Sequence, residues 1–346
     1  MATGVTGRPC RLAQRWAKVE AVSDEMARPD VWQVIRDRLA GKPDDHVLAL
    51  TLEGGGMRGV VSGAMLIALR DLGITRVFDR MYGTSSGSIN LAYFAAGGSW
   101  DALSVYYDHL PRGFVNPAYL VHRPRLNMPY VFERVMREEV PLDTVALADS
   151  PFDVRIALSN VDTMLPEPLD VRDVAPDIHR YLMAGSWLPI LAGRPYRLDG
   201  HRYLDGGLLW PDPLYPALAD GATHVLMINT APEGTPTDAN RVTSFVLHRT
   251  LNQWARGLGD AALEARIAWE ADKQLLKTGT TVDVRGTSVL RLRPAAGSHR
   301  VRRLTLDRGT LLDGARVGYQ SIFEAFGRPL DGAYFSISGR RSAEQG

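Results

Sequence analysis

The chain has 346 residues, 45% of them hydrophobic, enough to bury a large core in one α/β domain or two smaller ones. Its formal net charge of +1 supplies no global field for nucleic acid or an anionic membrane. A single cysteine, Cys10, excludes an internal disulfide framework and points to a reducing compartment.

Residues 1–45 read as a helical N-terminal extension. The opening MATGVTGRPCRLAQRWAKVE is basic but holds no apolar run, unlike a secretory signal. No stretch approaches the ~20 apolar residues of a membrane span, so a cytoplasmic protein is expected, with peripheral membrane contact open to it. DVWQVIRDRLAG has an N-cap candidate, helical apolar spacing and a closing glycine. HVLALTLE is a short apolar strand, VVSGAMLIALRDLG a buried helix ending at Gly73, VFDRMYG a second strand and SSGSINLAYFAAGG a second helix. This βαβα order predicts a parallel sheet with both faces covered.

Further on, PFDVRIALSNV and THVLMINTAP are strand candidates, and HRYLDGGLLWPDP is a strand followed by a turn. Residues 239–278 read as helical with a break near RGLGD, SVLRLRPAA as a late strand, and DRGTLLDGARVGYQSIFEAFG as a C-terminal helix. GFVNPAYLVHRPRLNMPYVF, residues 113–132, is apolar and aromatic with little periodicity. It suits a lid or acyl-chain wall and equally a packed connecting loop. RLRPAAGSHRVRR, residues 291–303, concentrates positive charge. Phospholipid headgroups would suit it, but a solvated basic loop is the plainer reading.

The glycines of LTLEGGGMRG, between a strand and a helix, fit three chemistries and a plain tight turn. Dinucleotide binding needs an acidic residue at the end of the next strand, and Asp79 lies near the start of its strand instead. A P-loop needs a lysine, and the chain has none between Lys42 and Lys273. An oxyanion hole needs only backbone N–H groups near a helix N-terminus. The next glycine turn, Gly83-Thr84-Ser85-Ser86-Gly87, has the G-x-S-x-G form of a nucleophile elbow. Both turns close adjacent strand–helix units, so in a parallel sheet they share one edge. A serine nucleophile beside backbone donors makes an acyl-transfer site.

For the base, His201, His224, His248 and His299 are weak candidates, since none sits in a glycine-bounded loop after a strand. Asp205, in YLDGGLLWP, ends a short apolar strand before two glycines and is the better one; a simple Asp-Gly turn is the alternative.

EGGGMRG, GTSSGS and DGG, in this order, resemble the three signatures of patatin-like phospholipases: D-G-G-G-x-R-G, G-x-S-x-G and D-G-[GA]. The resemblance covers about residues 46–230, with residues 231–346 completing the same domain. It implies a patatin-like α/β three-layer sandwich, with a mostly parallel central sheet covered by helices on both faces. It also implies a lipid acyl hydrolase with a serine–aspartate dyad, no histidine, no cofactor and no metal. Carried onto this sequence, the nucleophile is Ser85, the base Asp205, and the oxyanion donors are amides among Gly54, Gly55, Gly56, Met57 and Arg58, foremost Gly55 and Gly56. AGSWLPILAG is similar to the segment before the family's catalytic aspartate. Three positions depart from the pattern: Glu53 replaces Asp, Ser88 stands where many relatives have glycine, and Asp212 stands at a common Asn.

The substrate implied is a lipid or other acyl ester, with no nucleic-acid partner. An acyltransferase or thioesterase using the same dyad, or a non-catalytic lipid-binding protein, are the rival readings.

Overall fold

The computed structural model describes residues 29–116, 124–235 and 241–328, and for 241–243 the backbone alone. Helix α1 (Val31–Leu39) opens on Asp30, whose side chain accepts from the Gln33 amide at 2.6 Å, satisfying an otherwise unpaired first-turn donor. Strand β1 (Leu48–Leu52) leads through the glycine turn into α2 (Gly59–Asp71), and β2 (Arg80–Thr84) leads into α3 (Ser86–Ala95). The strand expected over VFDRMYG therefore begins only at Arg80; Thr75–Val77 is a 3-10 turn. Asp79 lies at that N-terminal end, where Oδ2 accepts from the Leu48 amide at 2.7 Å.

Strands β3 (Val154–Asn160), β4 (Leu165–Asp170), β5 (Tyr196–Leu198), β6 (His201–Asp205), β7 (His224–Ile228), β8 (Thr281–Val284) and β9 (Thr287–Leu292) complete one sheet. Its order is β5-β6-β3-β2-β1-β7-β9-β8, with β4 paired to β3. The run β3-β2-β1-β7-β9 is parallel, while β4, β5, β6 and β8 pair antiparallel. All five residues of β1 are buried, as expected for a strand covered on both faces. Leu48, Leu50 and Leu52 join the core shared with α2, α3 and α6 (Arg308–Ala325). Ala49 joins Tyr82, Leu214, Met227 and Trp269 on the other face. Each of those buried leucines contributes on the order of 2 kcal/mol of apolar burial.

A third cluster sets Leu204 and Leu209, on either side of the Asp-Gly-Gly turn, against Leu251 of α4 (Arg241–Trp254) and Leu258 of α5 (Leu258–Leu275). Those helices are the broken helical region expected over 239–278. Of residues 113–132, positions 117–123 lie outside the described residues. The remainder packs inward: Leu126, Val131 and Phe132 are buried, and Tyr130–Glu139 forms a π-helix. No helix among the described residues is long and apolar enough to cross a membrane.

Candidate active site

Strand order reverses at β1, whose neighbours are β2 on one side and β7 on the other. The turns after β1 and β2 therefore flank the crevice at the carboxyl edge of the sheet where α/β proteins bind ligands. Ser85 sits there, half-buried, between β2 and α3. Its φ of 52° and ψ of −126° are a strained conformation for a non-glycine residue, held by the strand before it and the helix after it. The neighbouring Ser86 is engaged elsewhere: its hydroxyl accepts from the Gly55 amide at 2.9 Å and its carbonyl from the Tyr106 hydroxyl at 3.4 Å.

The glycine turn lies directly on the elbow. A Cβ on Gly54 would fall 2.6 Å from Ser85 Cβ and 2.8 Å from the Thr84 carbonyl oxygen, so only glycine permits the approach. Of the five proposed donors, four amides are already committed. Gly54 donates to Thr84 Oγ1 at 3.1 Å, Gly55 to Ser86 Oγ, Met57 to the Arg303 carbonyl at 3.0 Å and Arg58 to the Gly55 carbonyl at 3.2 Å. The Gly55 N–H ties the turn to the first residue of α3. Gly56 is the one of the five whose amide has no acceptor among the described residues.

Asp205 reaches the same edge from β6, whose register sets it opposite Leu158 of β3, one position beyond the Ala157 that pairs with Thr84. Its amide donates to the Trp187 carbonyl at 3.0 Å, so AGSWLPILAG clamps the aspartate's backbone. Oδ1 accepts from the Gly207 amide at 2.8 Å. Oδ2 is buried without a formed hydrogen bond. Burial drives the carboxyl pKa upward; the Ser85 hydroxyl, the Gly207 amide and the Arg303 charge oppose this without cancelling it. The Ser85 hydroxyl is thus near enough to this carboxyl to favour its charged form.

The histidines are placed elsewhere. His224 starts β7, at the opposite edge of the sheet, with Nε2 2.9 Å from the Pro29 carbonyl. His248 pairs with Asp260 at 2.8 Å, and His201 and His299 are exposed. Among the described residues no cluster of three or more His, Cys, Asp or Glu could hold a metal ion.

Arg303 was not singled out in the sequence except as part of a basic run. That run is not a solvated loop at its ends: Arg291 is buried, Arg293 donates to the carbonyls of Ala231 and Pro232, and the Arg303 carbonyl holds the glycine turn. Asn229, Thr230 and Arg291 also lie under the turn, and no local spacing marks them.

The family model for patatin-like phospholipases matches residues 50–218. This core belongs to that family. Over 222 residues the patatin-like chain is 27% identical to the uncharacterized protein YjjU of Escherichia coli, covering 63% of this chain and 58% of that protein. It is 37% identical over 82 residues to an uncharacterized NTE family protein of Mycobacterium tuberculosis, covering 24% of this chain and 13% of that protein. The chain thus spans less than two thirds of the length of either relative. Among solved structures, VipD from Legionella pneumophila aligns with a TM-score of 0.42 at 13% identity, over 82% of this chain and 68% of that one. The type III effector protein ExoU aligns with a TM-score of 0.34 at 13% identity, over 82% and 54% respectively.

Proposed function

We propose that this patatin-like protein is a lipid acyl hydrolase that cleaves carboxylic esters through Ser85 and Asp205. The observations that carry the reading are a strained, half-buried serine at the elbow, a buried carboxyl whose charge the Ser85 hydroxyl favours, and an oxygen of that carboxyl that lacks a hydrogen bond. Oδ2 of Asp205 takes the Ser85 proton as Oγ attacks the acyl carbonyl carbon. The carbonyl π pair moves onto oxygen, and the Gly56 N–H, together with the N-terminus of α3, stabilises that charge. Collapse breaks the ester C–O bond, and the leaving alcohol takes the proton from Asp205. Water then attacks the acyl-enzyme, gives its proton to Asp205, and the serine leaves reprotonated with release of the fatty acid.

An ordinary aspartate is a weak base toward a serine hydroxyl. The upward shift at Asp205 narrows the mismatch, provided the working pH keeps it ionised. Esters of graded acyl length test the reading, assayed with wild type and Ser85→Ala and with an alcohol acceptor present or absent. Free fatty acid from wild type and none from the folded variant is the expected result. Product appearing only as the acceptor's ester would make the protein an acyltransferase, and equal rates from both proteins would remove Ser85 from the chemistry.

A further inference from the structure

A buried chain of polar side chains runs beneath the glycine turn. Glu53, the residue before Gly54, accepts at Oε2 from Asn229 Nδ2 at 2.6 Å. Its Oε1 accepts from the Thr230 hydroxyl at 2.5 Å and the Thr230 amide at 3.1 Å. The same Asn229 Nδ2 donates at 3.3 Å to Asp212 Oδ2, while Asp212 Oδ1 accepts from the Leu214 amide at 3.0 Å. Arg291 Nε donates to Asn229 Oδ1 at 2.6 Å. Asp212, Asn229 and Thr230 are each 1% exposed and Arg291 is 6% exposed, so water cannot stand in for a lost partner. The Glu53 amide also donates to the Ile228 carbonyl at 3.1 Å. Main chain and side chain of Glu53 are therefore both fixed to the end of β7. With Met57 fixed to Arg303 on the other side, Gly56 is suspended between two anchors.

We propose that Asp212 is a positioning residue for the oxyanion turn, acting through Asn229 and Glu53 on the direction of the Gly56 N–H. The inference rests on the hydrolase reading above. Two carboxyl groups, buried Asp212 and partly buried Glu53, share one amide nitrogen, and ionising both would set two negative charges against each other there. The groups facing Asp212 are Glu53 from β1, Asn229 after β7, Arg291 from β9 and Tyr215 on the helix that follows; Arg58 and Arg293 face Glu53. Burial is the main influence raising the Asp212 pKa to about 8, and the Glu53 charge acts in the same direction. Burial acts to raise Glu53 too, but Arg58, both Thr230 groups and Arg291 outweigh it and leave Glu53 below the usual carboxylate range. These influences favour the negative charge on Glu53 and raise the affinity of Asp212 for a proton.

The test uses the full-length protein with a soluble chromogenic ester, measuring kcat and KM from about pH 5 to about pH 10. Wild type should lose activity as Asp212 ionises near pH 8. Asp212→Asn should keep kcat within about twofold at neutral pH and lose that alkaline decline, which is rescue by the neutral isostere. Asp212→Leu should lower kcat about tenfold with KM within about twofold, since the turn is misdirected and the pocket is not. An alkaline decline unchanged in Asp212→Asn, or a wild-type kcat in Asp212→Leu, overturns the proposal. Carbon NMR of aspartate-labelled protein gives a readout free of activity and of the leucine variant's folding. One carboxyl should titrate near pH 8 in wild type and be missing in Asp212→Asn; its absence from wild type overturns the proposal. A wild type that neither cleaves esters nor reacts with a fluorophosphonate would instead overturn the hydrolase reading itself.

Discussion

The two ends of β1 carry polar clusters of opposite character. At the N-terminal end Arg38 binds Asp44 through two nitrogens at 2.8 and 2.9 Å, Asp79 at 2.8 Å, and the carbonyls of Val77 and His46. Asp44 and Asp79 both meet Arg38, and Asp44 is pulled down to about 2, chiefly by its bond to Arg38. At the C-terminal end Asp205 and Asp212 are both pushed up, chiefly by burial, and one oxygen of Asp205 has no hydrogen bond. The first arrangement ties α1 to the sheet. The second spends stability to keep carboxyl groups reactive or neutral, which is the pattern expected of a working site.

The comparison can be broken most sharply at Asp205. Replacing it by Asn keeps the turn's shape but removes the proton acceptor, so kcat should fall by ~10²–10⁴-fold with a modest change in KM. Steady-state kinetics on a soluble ester decides this, and near-full activity would mean the base lies elsewhere. Next in size is Gly54→Ala, whose Cβ would press on Ser85 Cβ at 2.6 Å. It should lower kcat about 10²-fold, as misplacing an oxyanion donor does, while thermal melting reports a folded protein.

How far these features could be read from sequence follows the range of their contacts. The βαβα start, Ser85 in its elbow and Asp205 before two glycines were legible because each is a local pattern of strand, turn and helix. Strand β4 was not, because Pro166 and Pro168 in LPEPLD read as breakers; they are tolerated in a strand paired on one side to β3. The three residues of β5 are too few to show alternation, and the π-helix over 130–139 repeats outside the helical period. Asn229 meets Glu53 from 176 positions away, and Arg303 meets the turn from the far end of the chain, so no spacing could announce either. The Gly55 amide meets Ser86 across 31 positions, which no local spacing announces either.

The smallest effects sharpen the comparison by sign. Asp44, whose folded pKa lies below its unfolded value, contributes stability above about pH 4 that is lost as pH falls through about 2. Asp44→Asn should therefore lower the urea midpoint at neutral pH, and the deficit should vanish in strong acid. Asp205, raised on folding, binds its proton more tightly in the native state, so it favours the fold below about pH 4 and penalises it as pH rises. Asp205→Asn should raise the neutral-pH midpoint above wild type and lose that advantage in acid. Urea titrations of the three proteins across pH check both, and shifts of the same sign would erase the proposed difference between the two ends.

The central claim is that Ser85 is a nucleophile activated by Asp205, and the most direct measurement is fluorophosphonate labelling followed by peptide mass spectrometry. The account predicts a single adduct on Ser85 within GTSSGS, formed far more slowly in Asp205→Asn and absent from Ser85→Ala. An adduct on Ser86, no adduct at all, or an unchanged labelling rate in Asp205→Asn would contradict it.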